Sequence, residues 1–188
     1  ESENFLNMEM GINEYSAYDV INTIDKESLA KIIKILGEEK DGKIIANKIH
    51  KYRTKKPIKS SHELALIINE AKKNYNKHKK NPATKTFQAI RIFVNKEITE
   101  LMIGLMNATK LLAEDGVLIV VSFHSIEDKI VKYFFKSLSE KKSISRYEPK
   151  IDQGNPIFQM KQKKPITPSS KELQENISSR SAKLRYAL

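Results

Sequence analysis

The chain has 188 residues, 39% of them hydrophobic, which is enough to build a core in one domain or in two small ones. It contains no run of about 18 apolar residues to cross a membrane and no apolar leader, so a soluble protein is expected, and the absence of cysteine excludes disulfides and thiolate metal sites. Thirty-four Lys and Arg against 23 Asp and Glu give a net charge of +11, which would attract a polyanion such as nucleic acid; the plainer reading is a lysine-rich solvated surface.

Residues 1–15 show no strong period, and the first residue is Glu rather than Met, as in a fragment or a processed chain. From Ser16, the spacing of Ala17, Val20 and Ile21 predicts a short helix. Asp25 is placed to cap a second one carrying Leu29, Ile32, Ile33 and Leu36, which Gly37 would stop. Ile44, Ile45, Ala46 and Ile49 mark a third helix that ends before Pro57. Ser60 or Ser61 caps a fourth, with Leu64, Ile67, Ile68 and Ala71 on one face. The first 75 residues therefore read as a small all-α region. Lys72–Lys80 is basic and polar with a single aromatic residue, Tyr75, and reads as a loop or linker suited either to phosphates or simply to water.

Next, Asn81 can cap and Pro82 suits a first helical position, after which Phe87, Ile90, Val94, Ile98, Leu101, Leu105, Ala108 and Leu112 recur every three or four residues. This stripe predicts one continuous helix of about seven turns. Glu114-Asp115-Gly116 stops it, and Val117–Val121 follows as an unbroken apolar run. Such a run has the composition of a strand covered on both faces of a parallel sheet. Ser122, His124 and Ser125 stand at its carboxyl end, where open α/β sheets place their ligand crevice. Ser125 and Asp128 fit a variant capping box for a helix that buries Ile130, Val131, Phe134, Phe135 and Leu138. Residues 139–168, broken by prolines, predict a long loop with one short strand near Ile157–Met160. Ser169 is placed to cap a short helix, and Ala182–Ala187 to form a closing strand.

Several of these stretches together resemble one family, the ribosomal small-subunit RNA methyltransferase H, or MraW, family. Asn81–Ile92 is similar to its "HPATRTFQALRI", and Ser122–Lys132 to its "SFHSLEDRIVKRF". Lys164–Ser169 and Arg180–Arg185 match "KPITPS" and "RSAKLR". The resemblance implies transfer of a methyl group from S-adenosyl-L-methionine to the N4 amine of a cytidine in small-subunit ribosomal RNA, in the cytoplasm or an organelle matrix. The implied fold class is α/β: the second half of a Rossmann-like methyltransferase sheet plus an all-α inserted domain. On this reading residues 1–80 are the helical, substrate-binding insert and 81–188 the C-terminal part of the methyltransferase domain.

Departures accompany the likeness. Where the family has "LDMRMD" this chain has Leu6-Asn7-Met8-Glu9-Met10-Gly11, and it lacks the Gly-rich turn that holds the cofactor. The expectation is that no cofactor-binding residue lies in this chain and that the fragment alone is inactive. The missing half, or a second copy in a homodimer, would cover the open sheet edge. The four histidines show no metal-ligand spacing, so no metal is expected. Ser122 and His124 are the candidate catalytic residues, able to grip the Watson-Crick edge of a flipped cytosine. For His124 a purely structural role weighs equally, and Ser125 is adequately explained as a cap. Thr84, Lys85 and Arg91, near a helix start, and Arg180, Lys183 and Arg185, near the closing strand, are the candidate contacts to RNA. The competing expectation is a basic module that holds RNA or a protein without catalysis.

Overall fold

The computed structural model describes residues 5–11, 13–72, 81–140 and 156–188. All of the basic segment except Lys72, and residues 141–155 of the expected long loop, lie outside them. The chain divides into two compact units, Glu1–Glu97 and Ile98–Leu188.

The first unit is helical. Helices α1 (Ala17–Thr23), α2 (Lys26–Leu36), α3 (Gly42–Arg53), α4 (Ser61–Ala71) and α5 (Thr84–Val94) enclose Leu6, Ile21, Leu29, Ile33, Ile45, Ile49, Ile58, Leu64, Ile67, Ile68 and Ile90, all but fully buried. The expected caps form at Asp25 and, of the Ser60/Ser61 alternatives, at Ser60, which accept the backbone N–H of Ser28 and Glu63; Ser16 caps α1 in the same way, on the Asp19 N–H. Two polar devices close the unit. Arg53 donates to the carbonyls of Ile21 (2.6 Å) and Ile24 (2.5 Å), satisfying the end of α1. The Lys72 ammonium sits 2.6 Å from the Glu39 carboxylate, with both side chains buried. Burial raises the Glu39 carboxyl, but the bonds from Lys72 and from the Asp41 N–H outweigh it and hold the group below the usual carboxylate range.

The predicted seven-turn helix is two helices. α5 ends at Asn95, and Lys96 adopts φ 51°, a left-handed conformation that stops helical propagation before α6 (Glu97–Leu111) begins. Asn95 is held there by four bonds. Its carbonyl oxygen accepts from the Met10 N–H and the Asn13 amide, and its amide donates to the carbonyls of Met8 and Arg91. Periodicity alone hid the break, since the apolar stripe runs through it.

The second unit holds α6, strand β1 (Leu118–Ser122), α7 (Ser125–Ser139), α8 (Ser170–Glu175), a 3-10 turn at Ile177–Ser181, and strand β2 (Lys183–Ala187). β2 pairs antiparallel with β1, from Leu118 opposite Ala187 to Ser122 opposite Lys183. Leu118 and Val120 face a core of Leu105, Val131, Phe135, Phe158 and Ala187, in which Phe135 meets Phe158 edge-on. Among the described residues the sheet has two strands, and β1 is covered on one face only. Val117, Ile119, Val121 and Phe123 are 45–59% exposed, contrary to the strand covered on both faces that its composition predicts. The short strand expected at Ile157–Met160 does not form as such; Gln159 instead exchanges two backbone bonds with Leu188, beyond the end of β2. Ser169 caps α8 as expected.

Gly37 ends α2 against α5: a Cβ there would lie 2.6 Å from the carbonyl oxygens of both Ile33 and Lys85. Gly37→Ala is expected to lower the unfolding free energy in urea melts by about 1–3 kcal/mol. Gly104→Ala should raise it by about 0.5–1 kcal/mol, because Gly104 lies inside α6 with nothing within 4 Å of the added methyl group.

Candidate functional site

β1 ends in a tight elbow at Ser122-Phe123-His124 before α7 begins. The helix needs acceptors for its first N–H groups, and the elbow supplies them. His124, with extended backbone, is the cap: its Nδ1 accepts the Glu127 N–H at 3.3 Å. The Glu127 carboxylate reaches back to the N–H groups of Phe123 (3.0 Å) and His124 (3.4 Å). The capping box is thus His124 with Glu127, one position earlier than the expected pair of Ser125 and Asp128. Ser125 is the first helical residue. Because Nδ1 is an acceptor here, the neutral ring carries its proton on Nε2, which lies 3.2 Å from Glu127 Oε1. Burial pushes the Glu127 carboxyl up, but its bonds to the His124 ring and to the Phe123 N–H prevail and keep it below the usual range.

Asp128 has a different task from the one expected of it. It is buried and accepts from Arg185 Nε (2.7 Å) and Nη2 (3.3 Å), and from Lys183 Nζ (3.2 Å). Arg185 also donates through Nη1 to the Lys163 carbonyl at 2.9 Å. One carboxylate on α7 therefore ties down β2 and, through Arg185, the 156–169 segment. Burial of Asp128 raises its carboxyl, and the bonds and charges of Arg185 and Lys183 more than reverse this, leaving it depressed.

The remaining candidates are placed as follows. Ser122 is buried at the end of β1, its hydroxyl donating to the Lys183 carbonyl at 3.4 Å. Thr84 and Lys85 open α5 and are exposed, the Lys85 ammonium reaching the Glu38 carbonyl at 3.0 Å. No side chain caps α5, since Ala83 occupies that position and Asn81 instead accepts the Ala83 N–H. Arg91 forks onto the Glu97 carboxylate at 2.7 and 3.1 Å. Arg180 is exposed in the 3-10 turn, whereas Arg185 is buried. The structure thus brings Lys183 and Arg185 together on Asp128, with Ser122 paired to Lys183 across the strands.

The model of the MraW methylase family matches residues 1–188. The chain belongs to this family. It is 43% identical, over 98% of its length, to the ribosomal RNA small subunit methyltransferase H of Sulfurihydrogenibium sp. (strain YO3AOP1), covering 59% of that protein. Against the protein of the same name in Rickettsia prowazekii (strain Madrid E) it is 45% identical over 97% of the chain and 60% of the relative. For Ehrlichia canis (strain Jake) the figures are 46%, 94% and 57%. The chain therefore spans less than two thirds of the length of these relatives.

The stretches that carry the family likeness fall on the start of α5, the elbow, the segment bridged to β2 at Ile166, and β2 itself. Sequence reasoning missed Glu127, although His-x-x-Glu has the spacing of a cap and its third helical residue. It also missed Phe123, 59% exposed at the elbow between the two candidate catalytic residues.

The depressed Asp128 carboxyl has a direct consequence for stability. The unfolded chain takes up this proton at the ordinary value near 3.8, and the folded chain only at lower pH. The contribution is therefore complete above that ordinary value and is lost as pH falls through it toward the folded value. Urea melts between pH 2 and 7 should show a weaker acid dependence for Asp128→Asn than for the parent. At neutral pH, Arg185→Ala should cost about 3–5 kcal/mol, and the Asp128→Ala/Arg185→Ala pair less than the sum of its parts.

Proposed function

We propose that this chain is the substrate-side portion of an S-adenosylmethionine-dependent methyltransferase that modifies N4 of a cytidine in small-subunit ribosomal RNA. The observation that carries the reading is the family match over residues 1–188, with family-like stretches at a strand's carboxyl-end elbow. Residues 1–80 are read as the inserted helical domain and 81–188 as the closing half of a Rossmann-like sheet. The apolar outward face of β1 supports this reading, because further secondary structure laid against that face would remove Ile119 and Val121 from water.

The family's cofactor does not fit the described residues by themselves. The carboxylates at the elbow, the groups that would accept ribose hydroxyls, are committed: Glu127 to the Phe123 and His124 N–H groups, Asp128 to Arg185 and Lys183. We assign the cofactor's cradle to the part of the relatives that this chain does not span. What this chain supplies is orientation of the acceptor base. A cytosine amine has its lone pair drawn into the ring, so holding it in line contributes much of the rate. Ser122 and His124 are the residues we place at that base. The buried Nε2 of His124 lies against Glu127 Oε1, so donation to N3 or O2 of the base requires the ring to exchange that partner for the base. For the RNA backbone, Thr84, Lys85 and Arg180 are exposed and suited to phosphates. Arg91, Lys183 and Arg185 are each engaged by a carboxylate of the fold.

A non-catalytic RNA-binding module is the second reading, favoured by those committed carboxylates. Calorimetry with S-adenosylmethionine separates the two: the full-length protein should bind and the 188-residue chain should not. Tight binding by the chain alone would overturn the assignment of the cradle. For His124, asparagine can keep the helix cap while removing the imidazole. His124→Asn is expected to fold with near-parental stability and lose methylation of small-subunit RNA, whereas His124→Ala should also lose about 0.5–2 kcal/mol of stability. Full activity in His124→Asn would reduce the residue to its cap.

A further inference from the structure

The second unit contains a cleft that none of the candidate residues lines. Its volume is about 1170 Å³. It opens at the end of β1 opposite the elbow, beside Gly116 and Leu188, and the length of β1, roughly 17 Å at 3.3–3.4 Å per residue, separates the two. Three kinds of surface meet in it. Leu112, Phe158 and Met160 provide an apolar floor. Lys132 and Lys136, one turn apart on α7, and Lys163 and Lys164 provide four exposed ammonium groups. Glu114 and Asp115, on the turn before β1, are exposed carboxylates on another side. Glu140 also lines the cleft, 3.6 Å from Lys136 in an exposed pair that solvent screens. The position of Lys163 is set by its carbonyl, which Arg185 holds from within the buried ion cluster.

We infer that this cleft takes a single-stranded segment of RNA, a second anchoring contact away from the target base. The inference rests on the RNA substrate proposed above and goes beyond it in naming a separate site. A bare phosphate would leave the floor and the carboxylates without purpose, and an apolar peptide would bring no anion to the lysines. Single-stranded RNA uses all three surfaces. Its phosphates pair with the lysines, a splayed base covers Leu112, Phe158 and Met160, and exocyclic amines or ribose hydroxyls donate to Glu114 and Asp115. The volume exceeds what a single drug-sized ligand fills and suits a short run of nucleotides.

The test is lysine acylation footprinting of the full-length protein, read by mass spectrometry, with and without a ten-nucleotide single-stranded uridine RNA. Lys132, Lys136, Lys163 and Lys164 should react readily without RNA and several-fold more slowly with it. In anisotropy titrations the Lys132→Ala/Lys136→Ala/Lys163→Ala/Lys164→Ala protein should bind the RNA at least tenfold more weakly, and the slope of log affinity against log salt should fall by roughly 2–3. Three results would overturn the inference. Slow acylation already present without RNA would show the cleft to be occupied by the protein itself. Protection of Lys85 without protection of the four cleft lysines would leave the RNA reading standing and remove this site. Absence of RNA binding by the parent would remove both.

Discussion

One buried carboxylate governs the second unit. Asp128 stands on the first turns of α7 and is met by Arg185 and Lys183 from β2, so the helix after the elbow and the strand beside it are locked to each other. The desolvation of these charges is offset by their mutual bonds: the carboxylate takes three, and the guanidinium donates one more through Nη1 to the Lys163 carbonyl. The elbow between β1 and α7 inherits its geometry from this lock. The His124 and Glu127 capping box then fixes the orientation of the imidazole, with Nδ1 on the Glu127 N–H and Nε2 beside the Glu127 carboxylate.

The helical unit uses the same device in another place. Lys72 and Glu39 form a short, buried pair, and the Lys72 ammonium also approaches the Pro82 carbonyl at 3.4 Å, so one cation binds the loop after α2, the end of α4 and the approach to α5. Asn95 does for the N-terminal residues what Lys72 does here, with neutral bonds instead of charge. In both units a polar side chain inside or beside an apolar core determines where an irregular segment rests. The apolar residues alone, free to repack among similar neighbours, would not.

Much of this was legible before any fold was known. The caps at Asp25, Ser60 and Ser169 are local chemistry, a side-chain oxygen meeting an N–H three residues on, and they form as read. The helical faces of Leu29 with Ile33, and of Leu64 with Ile67 and Ile68, face the core as their spacing requires. Errors arose where a local rule had a nonlocal competitor. Ser125 and Asp128 satisfy the spacing of a capping box, but two cations more than fifty residues away claim the aspartate and leave the cap to His124. The stripe from Phe87 to Leu112 satisfies one long helix, but Asn95 is drawn into bonds with Met8, Met10 and Asn13 and the helix divides.

By itself the sequence determined the helical first half, the apolar strand, the elbow and the family to which the chain belongs, because periodicity, capping and motif order are properties of neighbours along the chain. Tertiary structure decided which cations are spent within the fold and which face water. Arg185, Lys183 and Arg91 meet carboxylates, whereas Lys85 and Arg180 remain at the surface. It also decided that β1 shows an apolar face to solvent among the described residues. The reason is the same in each case: a charge or an apolar face acquires its role from what the fold brings opposite it, and that partner is set by distance in space, which residue spacing along a chain does not encode.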